Sequence, residues 1–262
     1  MLDVHPAHHA ATTWRDFLIH IATIVLGLLI AVCLEQTVEA IHHRHQLHHL
    51  EEDLHTEGIR NLHIALDNIR ASEQRRQTDA QQYAELIQAV RDHRAAAALP
   101  TQSIIYSKPA YAVWTVAQQS GTLGLLSRED AQCYARLYGV VQYAVDQVKD
   151  INSANDRRTV AMLPGVTDLA GFPALAQTGQ PPRFDLSLLN PQDLRDARNA
   201  ISADLLTARQ SIKWNVYLYG IEWSVLRGSR SDEQNLHTIY DSMDVYLHGG
   251  IPALLAKYPL PQ

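Results

Sequence analysis

"LHHLEEDLHTEGIRNLHIALDNIRASEQRRQTDAQQYAELIQAV", residues 47–90, decides the fold. It lies in a longer run, Glu35 to Ala98, that holds no proline and a single glycine, Gly58. Leu47, Leu50, Leu54, Leu62, Leu66 and Ile69 recur mostly at three- and four-residue steps, with a longer one around Gly58. That spacing puts them on one face of an α-helix. The stretch "RASEQRRQTDAQQ", 70–82, is polar on all sides and predicts either fully solvated helix or a bend. Tyr83, Leu86, Ile87 and Val90 then resume the apolar stripe. If the helix continues unbroken to Pro100, it reaches roughly 90 Å at 1.5 Å per residue.

Upstream lies "FLIHIATIVLGLLIAVCL", 17–34, which has no formally charged side chain unless His20 is protonated. Its length suffices to cross a hydrocarbon core of roughly 30 Å. Trp14 and Phe17 stand where an interfacial aromatic anchor would be, and Arg15 and Asp16 close the segment on its N-terminal side. The apolar core is longer and its start less basic than in a cleavable signal peptide. Val32 before Cys33 is a poor fit to the small residue that lipoprotein processing requires. The expectation is an uncleaved single-pass anchor in a bacterial cytoplasmic membrane. The short tail, 1–16, before a long C-terminal portion favours an extracytoplasmic C-terminal domain.

Downstream, helical signals continue. A short helix is expected from about Pro109 to Ser120, stopped by Gly121. Ser127 offers an N-cap to a long helix that runs to about Met162, with Glu129 and Asp130 in its first turn. Residues 164–190 are rich in glycine and proline and read as a long loop. Asn190–Pro191 stands in N-cap and N1 order and opens a helix to about Arg227. A last helix is expected from about Asp232 to Leu247, ended by Gly249–Gly250. With no strand alternation and no internal repeat, the class is all-α. The expected organisation is a tail (1–16), a transmembrane helix (17–34), a long juxtamembrane helix (35–99) and an antiparallel helical bundle (100–262).

"WRDFLIHIATIVLGLLIAVCLEQTVE" leading into a long helix, then "AVWTVAQQSGTLGLL" and "ARLYGVVQYAVD", resembles groups of uncharacterised bacterial proteins. Those begin with one membrane helix and carry a Trp-x(5)-Ser-Gly step downstream, here Trp114 to Gly121. The resemblance implies a membrane-anchored helical protein and brings no activity with it.

The chain has 262 residues and a formal charge of −6, which gives no bulk footprint for nucleic acid. Its 14 histidines make that charge pH-sensitive: full protonation would give −6 + 14 = +8. Of the two cysteines, Cys33 lies in the apolar run and Cys133 in a helical pattern, so an intrachain disulfide is not expected and Cys133 reads as an inert thiol. His-Glu-x-x-His, Gly-rich phosphate loops, Gly-x-Ser-x-Gly and Cys-x-x-Cys are all missing from the sequence. Glu52 and His55 form one Glu-x-x-His pair, whereas a di-iron bundle needs two. Trp214, Tyr217, Tyr219 and Trp223 stand at helical spacing and read as core before ligand pocket.

"IHHRHQLHHLEEDLH", 41–55, is the densest cluster of chemistry-bearing residues. At 100° per residue His42, His45 and His49 fall within about 60° of one another, with Glu52 on the same side and the leucines opposite. His45 and His49 at i,i+4 could ligate a divalent ion such as zinc, with His42 or Glu52 as a third ligand. The face continues back through Gly27 and Ala31, a small-xxx-small pair suited to close helix–helix approach. Two copies packed there would bring their histidines together, to share a metal or to repel when protonated. The leading expectation is a non-catalytic, self-associating interaction or scaffold protein that touches the bilayer and an unknown protein partner and needs no cofactor. A metal- or pH-responsive binding protein is the alternative. A third is an enzyme whose site forms between bundle helices, which requires inward-facing carboxylates or histidines.

Overall fold

The computed structural model describes residues 14–94, 106–165 and 188–261. It is all-α over those residues, with five α-helices: α1 (Trp14–Arg91), α2 (Ala112–Ser120), α3 (Arg128–Met162), α4 (Pro191–Leu226) and α5 (Asp232–Lys257). Two compact units are present, Met1–Glu51 and Glu52–Gln262.

The first unit is the N-terminal part of α1. An 18-residue window has mean hydropathy 2.8 and none of it is buried, so by length and composition the helix could cross a membrane. A signal sequence has the same two properties. Trp14 stacks on Phe17 with ring centroids 5.4 Å apart. The hydroxyls of Thr23 and Thr37 donate to the carbonyls of Ile19 and Cys33, at 2.8 and 2.7 Å. Both hydroxyls are thereby satisfied within the helix itself.

The second unit is a bundle of α3, α4, α5 and the part of α1 from Glu52 onward. The sequence reading started the bundle at residue 100; the compact unit starts inside α1. Leu54, Leu62, Leu66 and Ile69 are buried as the stripe predicts. The stretch 70–82 is neither solvated nor bent: Ser72, Arg75, Asp79 and Gln82 are among the most enclosed residues of the protein. They continue a seam of buried positions, Asn61, Ala65, Asn68, Ser72, Arg75, Asp79, Gln82, Leu86 and Ala89, at strictly alternating steps of four and three. This is heptad packing with polar residues at most of the facing positions. On α4, Ala197, Ile201, Asp204, Ala208, Ser211, Asn215 and Leu218 repeat the pattern.

Helix directions follow from which residues meet. Asn61, Asn68 and Ser72 bond to Glu222, Asn215 and Ser211 in turn, so α4 runs antiparallel to α1. Glu57 meets Tyr138 and Gln82 meets Arg158, so α1 and α3 run the same way. The parallel pair is possible because residues 106–111 come back along α1 outside any helix before α2 begins.

Helix ends follow local chemistry. α1 stops at Arg91, ahead of the expected Pro100, with His93 in the left-handed region (φ 49°). Gly121 (φ 77°) caps α2, where a side chain would be strained. Ser127 Oγ accepts from the Asp130 amide at 3.0 Å and starts α3. Asn190 and Asp193 form a reciprocal capping box at α4, with Pro191 in the first turn. Gly250 (φ 63°, ψ −158°) breaks α5 where the sequence predicts a stop, but helical residues resume beyond it to Lys257. Most of the expected 164–190 loop lies outside the described residues.

Candidate functional site

The bundle interior holds two polar layers that hydrophobic periodicity did not reveal. The first is built on two asparagines one heptad apart on α1. Asn61 Oδ1 accepts from the Ala110 amide (2.7 Å), and its Nδ2 donates to the Ala110 carbonyl (3.0 Å) and to Glu222 Oε1 (2.9 Å). Asn68 does the same one step along: Oδ1 accepts from the Ser107 amide (3.0 Å), and Nδ2 donates to the Ser107 carbonyl (2.8 Å) and to Asn215 Oδ1 (3.2 Å). Each primary amide therefore joins α1, the returning segment and α4. Asn215 in turn donates to the Ser211 carbonyl at 2.8 Å, and Ser72 Oγ donates to Ser211 Oγ at 2.8 Å.

Glu57 and Glu222 flank this ladder. Glu57 accepts from Tyr138 Oη (2.6 Å) and from the Val113 amide (3.0 Å) in the first turn of α2. It supplies the cap that Tyr111 does not. Burial, with the Glu57 hydrogen bond adding to it, pushes the Tyr138 phenol far above its ordinary range. Burial raises the Glu222 carboxyl to about 8; the Asn61 amide opposes that shift and the Glu57 charge adds to it. A Cβ on Gly58 would lie 3.1 Å from Glu222 Oε2, so the missing side chain at Gly58 is where this carboxyl finds room.

The second layer is ionic. Arg75 donates from Nε to Asp204 Oδ2 at 2.9 Å and from Nη2 to the other carboxylate oxygen, a two-pronged pair. Arg158 reaches Asp204 Oδ2 at 3.3 Å and Asp79 Oδ1 at 3.1 Å, and donates to Gln82. Asp79 receives no aligned hydrogen bond at either oxygen, although Arg158 and Arg75 lie within ion-pair distance. Burial pushes its carboxyl well above the usual carboxylate range; Arg158 opposes the shift and the nearby Asp204 carboxylate reinforces it. Tyr106 covers the layer with its ring 5.9 Å from the Arg75 guanidinium. Two cations and two acids are thus enclosed, and each is placed to neutralise another.

Outside the core, α1, α4 and α5 surround an open cleft of 640 Å³, lined among others by Glu73, Arg76, Arg209, Lys213, Tyr217, Met243 and Tyr246. The Tyr246 hydroxyl donates to Glu73 Oε1 at 2.7 Å.

The residues singled out from the sequence lie elsewhere. His42, His45, His49 and Glu52 are exposed on α1. Among the described residues no group of three or more His, Cys, Asp or Glu is placed to hold a metal ion. Gly27 and Ala31 are exposed, and a Cβ on Gly27 would meet nothing within 4 Å. His55, the partner of Glu52 in the Glu-x-x-His pair, is exposed as well. Cys133 is buried, and that burial raises its thiol. Of the aromatic set, Tyr219 is core and donates to the Tyr258 carbonyl at 2.7 Å, Trp223 Nε1 donates to the Pro259 carbonyl at 2.9 Å, and Tyr217 lines the cleft. Trp114 stacks on Tyr138 with centroids 5.0 Å apart. The signal that would have found the polar layers is the spacing of Asn61, Asn68, Ser72, Arg75, Asp79 and Gln82, which carries the heptad register of the leucine stripe on into the polar stretch 70–82. No protein-family model, curated protein or solved structure matches the chain.

Proposed function

We propose that the protein is a single-pass, membrane-anchored interaction module of the bacterial cytoplasmic membrane that self-associates and works without catalysis. The observation that carries this reading is the apolar window of α1, of mean hydropathy 2.8, no part of which is buried by the chain itself. An apolar surface of that length needs a bilayer or a partner. In support, the acids facing the bundle interior are committed to partners on other helices, an arrangement that sets helix register. The inward-facing carboxylates required by an enzyme assembled between helices are present in Asp79, Asp204, Glu57 and Glu222, but they are sealed, and the acid at the open cleft, Glu73, is bonded to Tyr246. That favours the non-catalytic reading.

Gly27 and Ala31 form the association face in this proposal, and the C-terminal bundle lies on the extracytoplasmic side. The test is alkaline extraction of membranes that carry the full chain, followed by its mass in nanodiscs. Retention in the pellet and a multiple of the protomer mass are expected. Release into the supernatant would remove the anchor, and a monomer would remove self-association. A second reading is a metal- or pH-responsive module, and it rests on the exposure of His42, His45 and His49 along one helix. A site of that kind would draw ligands from two chains.

A further inference from the structure

The cleft bounded by α1, α4 and α5 carries the charge opposite to that of the chain. In a protein of net charge −6, Arg76, Arg209 and Lys213 line it against one acid, Glu73, and that acid accepts from Tyr246. Arg76 and Arg209 are exposed, and among the described residues neither forms a hydrogen bond or an ion pair. Lys213 lies over the faces of Trp214 and Tyr217, at 5.6 and 5.5 Å. Its ammonium keeps donors for a ligand, since a ring face takes none of them in a directed bond.

The cleft is also polarised along its length. The pairings of Ser224 with Asn235 and of Ser242 with the Val216 carbonyl set the register of α5 on α4. That register puts Arg209 level with Gly250 and Tyr217 level with the turn before Met243. The basic end therefore lies toward Gly250 and the aromatic, apolar end toward Tyr217. From there an apolar stripe continues along α5: Leu236, Tyr240, Met243 and Leu247 recur at steps of four, three and four, and Leu236, Tyr240 and Leu247 are more than half exposed. The stripe spans roughly 16 Å at 1.5 Å per residue, enough for an alkyl chain of medium length. Tyr240 meets Tyr217 edge-on with centroids 6.4 Å apart, which joins stripe to cleft.

We infer that this cleft binds an anionic amphiphile, with a carboxylate or phosphate head against Arg76 and Arg209 and an alkyl chain over Tyr217, Met243 and Leu247. A guanidinium pairs with either head in a two-pronged manner. A flexible methionine and a leucine accept a chain without demanding one shape. The inference is independent of the membrane reading, because every residue it uses belongs to the bundle.

The test is calorimetric titration of the full chain in zwitterionic nanodiscs, with empty nanodiscs as the blank. The probes are decanoate, decyl phosphate, decanol, acetate and an acidic amphipathic helical peptide. Saturable binding of decanoate or decyl phosphate is expected, and the tighter of the two identifies the head. Decanol and acetate should bind about tenfold more weakly or worse, as should decanoate to Arg76→Gln/Arg209→Gln and to Leu247→Glu. The substituted side chains are exposed, so circular dichroism should match the parent. Equal binding of decanol, equal binding of acetate, or no saturable binding would overturn the inference. So would tighter binding of the peptide, or a change of oligomer mass in Leu247→Glu that decanoate does not affect, which would assign the face to a protein helix or to a second copy.

Discussion

The two parts of α1 invert the usual rule about inside and outside. Phe17–Leu34 is almost wholly apolar, and the chain buries none of it. Residues 70–82 hold five charged side chains, Arg70, Glu73, Arg75, Arg76 and Asp79, and Arg75 and Asp79 are enclosed. The environment of a helix face is set by what the facing helices offer. Arg75 is buried because Asp204 stands opposite it, and Asn68 because Asn215 and the Ser107 backbone do. Among the described residues the apolar segment has no such counterpart.

The comparison breaks most sharply at Asp204. Asp204→Leu leaves Arg75 without its two-pronged partner and takes one acid from Arg158. It should cost about 3–5 kcal/mol, read from urea denaturation of the full chain in detergent micelles. Adding Arg75→Met should recover part of the loss, because two apolar groups then face each other. A change of under 1 kcal/mol in the single variant would mean that the ionic layer is solvated.

The next effect is steric. A Cβ on Gly220 would meet Ser242 Oγ at 2.5 Å and the Ile239 Cα at 3.2 Å, so α4 and α5 touch there through backbone. Gly220→Val should cost about 1–3 kcal/mol by overpacking, seen as a lower Tm. An unchanged Tm would show that the α4–α5 contact is looser than the geometry requires.

Glu222 gives a pH signature. Its folded pKa of about 8 lies above the ordinary 4.5. The folded state thus holds the proton more tightly than the unfolded one. Its contribution to stability is complete below about 4.5, falls as pH rises toward 8 and levels off above that. The slope for one such proton is at most about 1.4 kcal/mol per pH unit. Glu222→Gln, which still accepts from Asn61, should flatten the urea midpoint between pH 5 and 8; an unchanged profile would place the titration elsewhere. The smallest effect on the bundle is expected at the exposed end of α1. Gly27→Leu/Ala31→Leu should shift the oligomer mass in nanodiscs while the urea midpoint stays within about 0.5 kcal/mol of the parent. A lost bundle transition would contradict the independence of the two regions.

The helices and their caps were legible because their signals are local. Leu54, Leu62 and Leu66 mark a face, Asn190–Pro191 marks a start, and Gly121 and Gly250 mark breaks. The polar layers were not legible, because apolar periodicity is blind to a buried arginine. Arg158 and Asp204 lie far from Asp79 in the chain and meet it only in the fold. The parallel run of α1 and α3 was hidden for a similar reason: it depends on a returning segment held by Asn61 and Asn68, and nothing in residues 106–111 announces that path. The cleft draws on three helices, and of its residues Tyr217 stood out beforehand as part of an aromatic set and Gly250 as a helix stop, neither as part of a cleft.

Asn61 and Asn68 grip Ala110 and Ser107 through amide and carbonyl alone, as a neighbouring strand would. Such a grip reads the course of the main chain and is indifferent to side-chain identity. Ser107 and Lys108, whose side chains face solvent, are therefore free to drift over evolutionary time as long as the backbone keeps its extended course. The two asparagines are not, since an aspartate or a leucine in either place could not both give and take. Among natural variants of this chain, substitutions should accumulate on the held segment and avoid its holders.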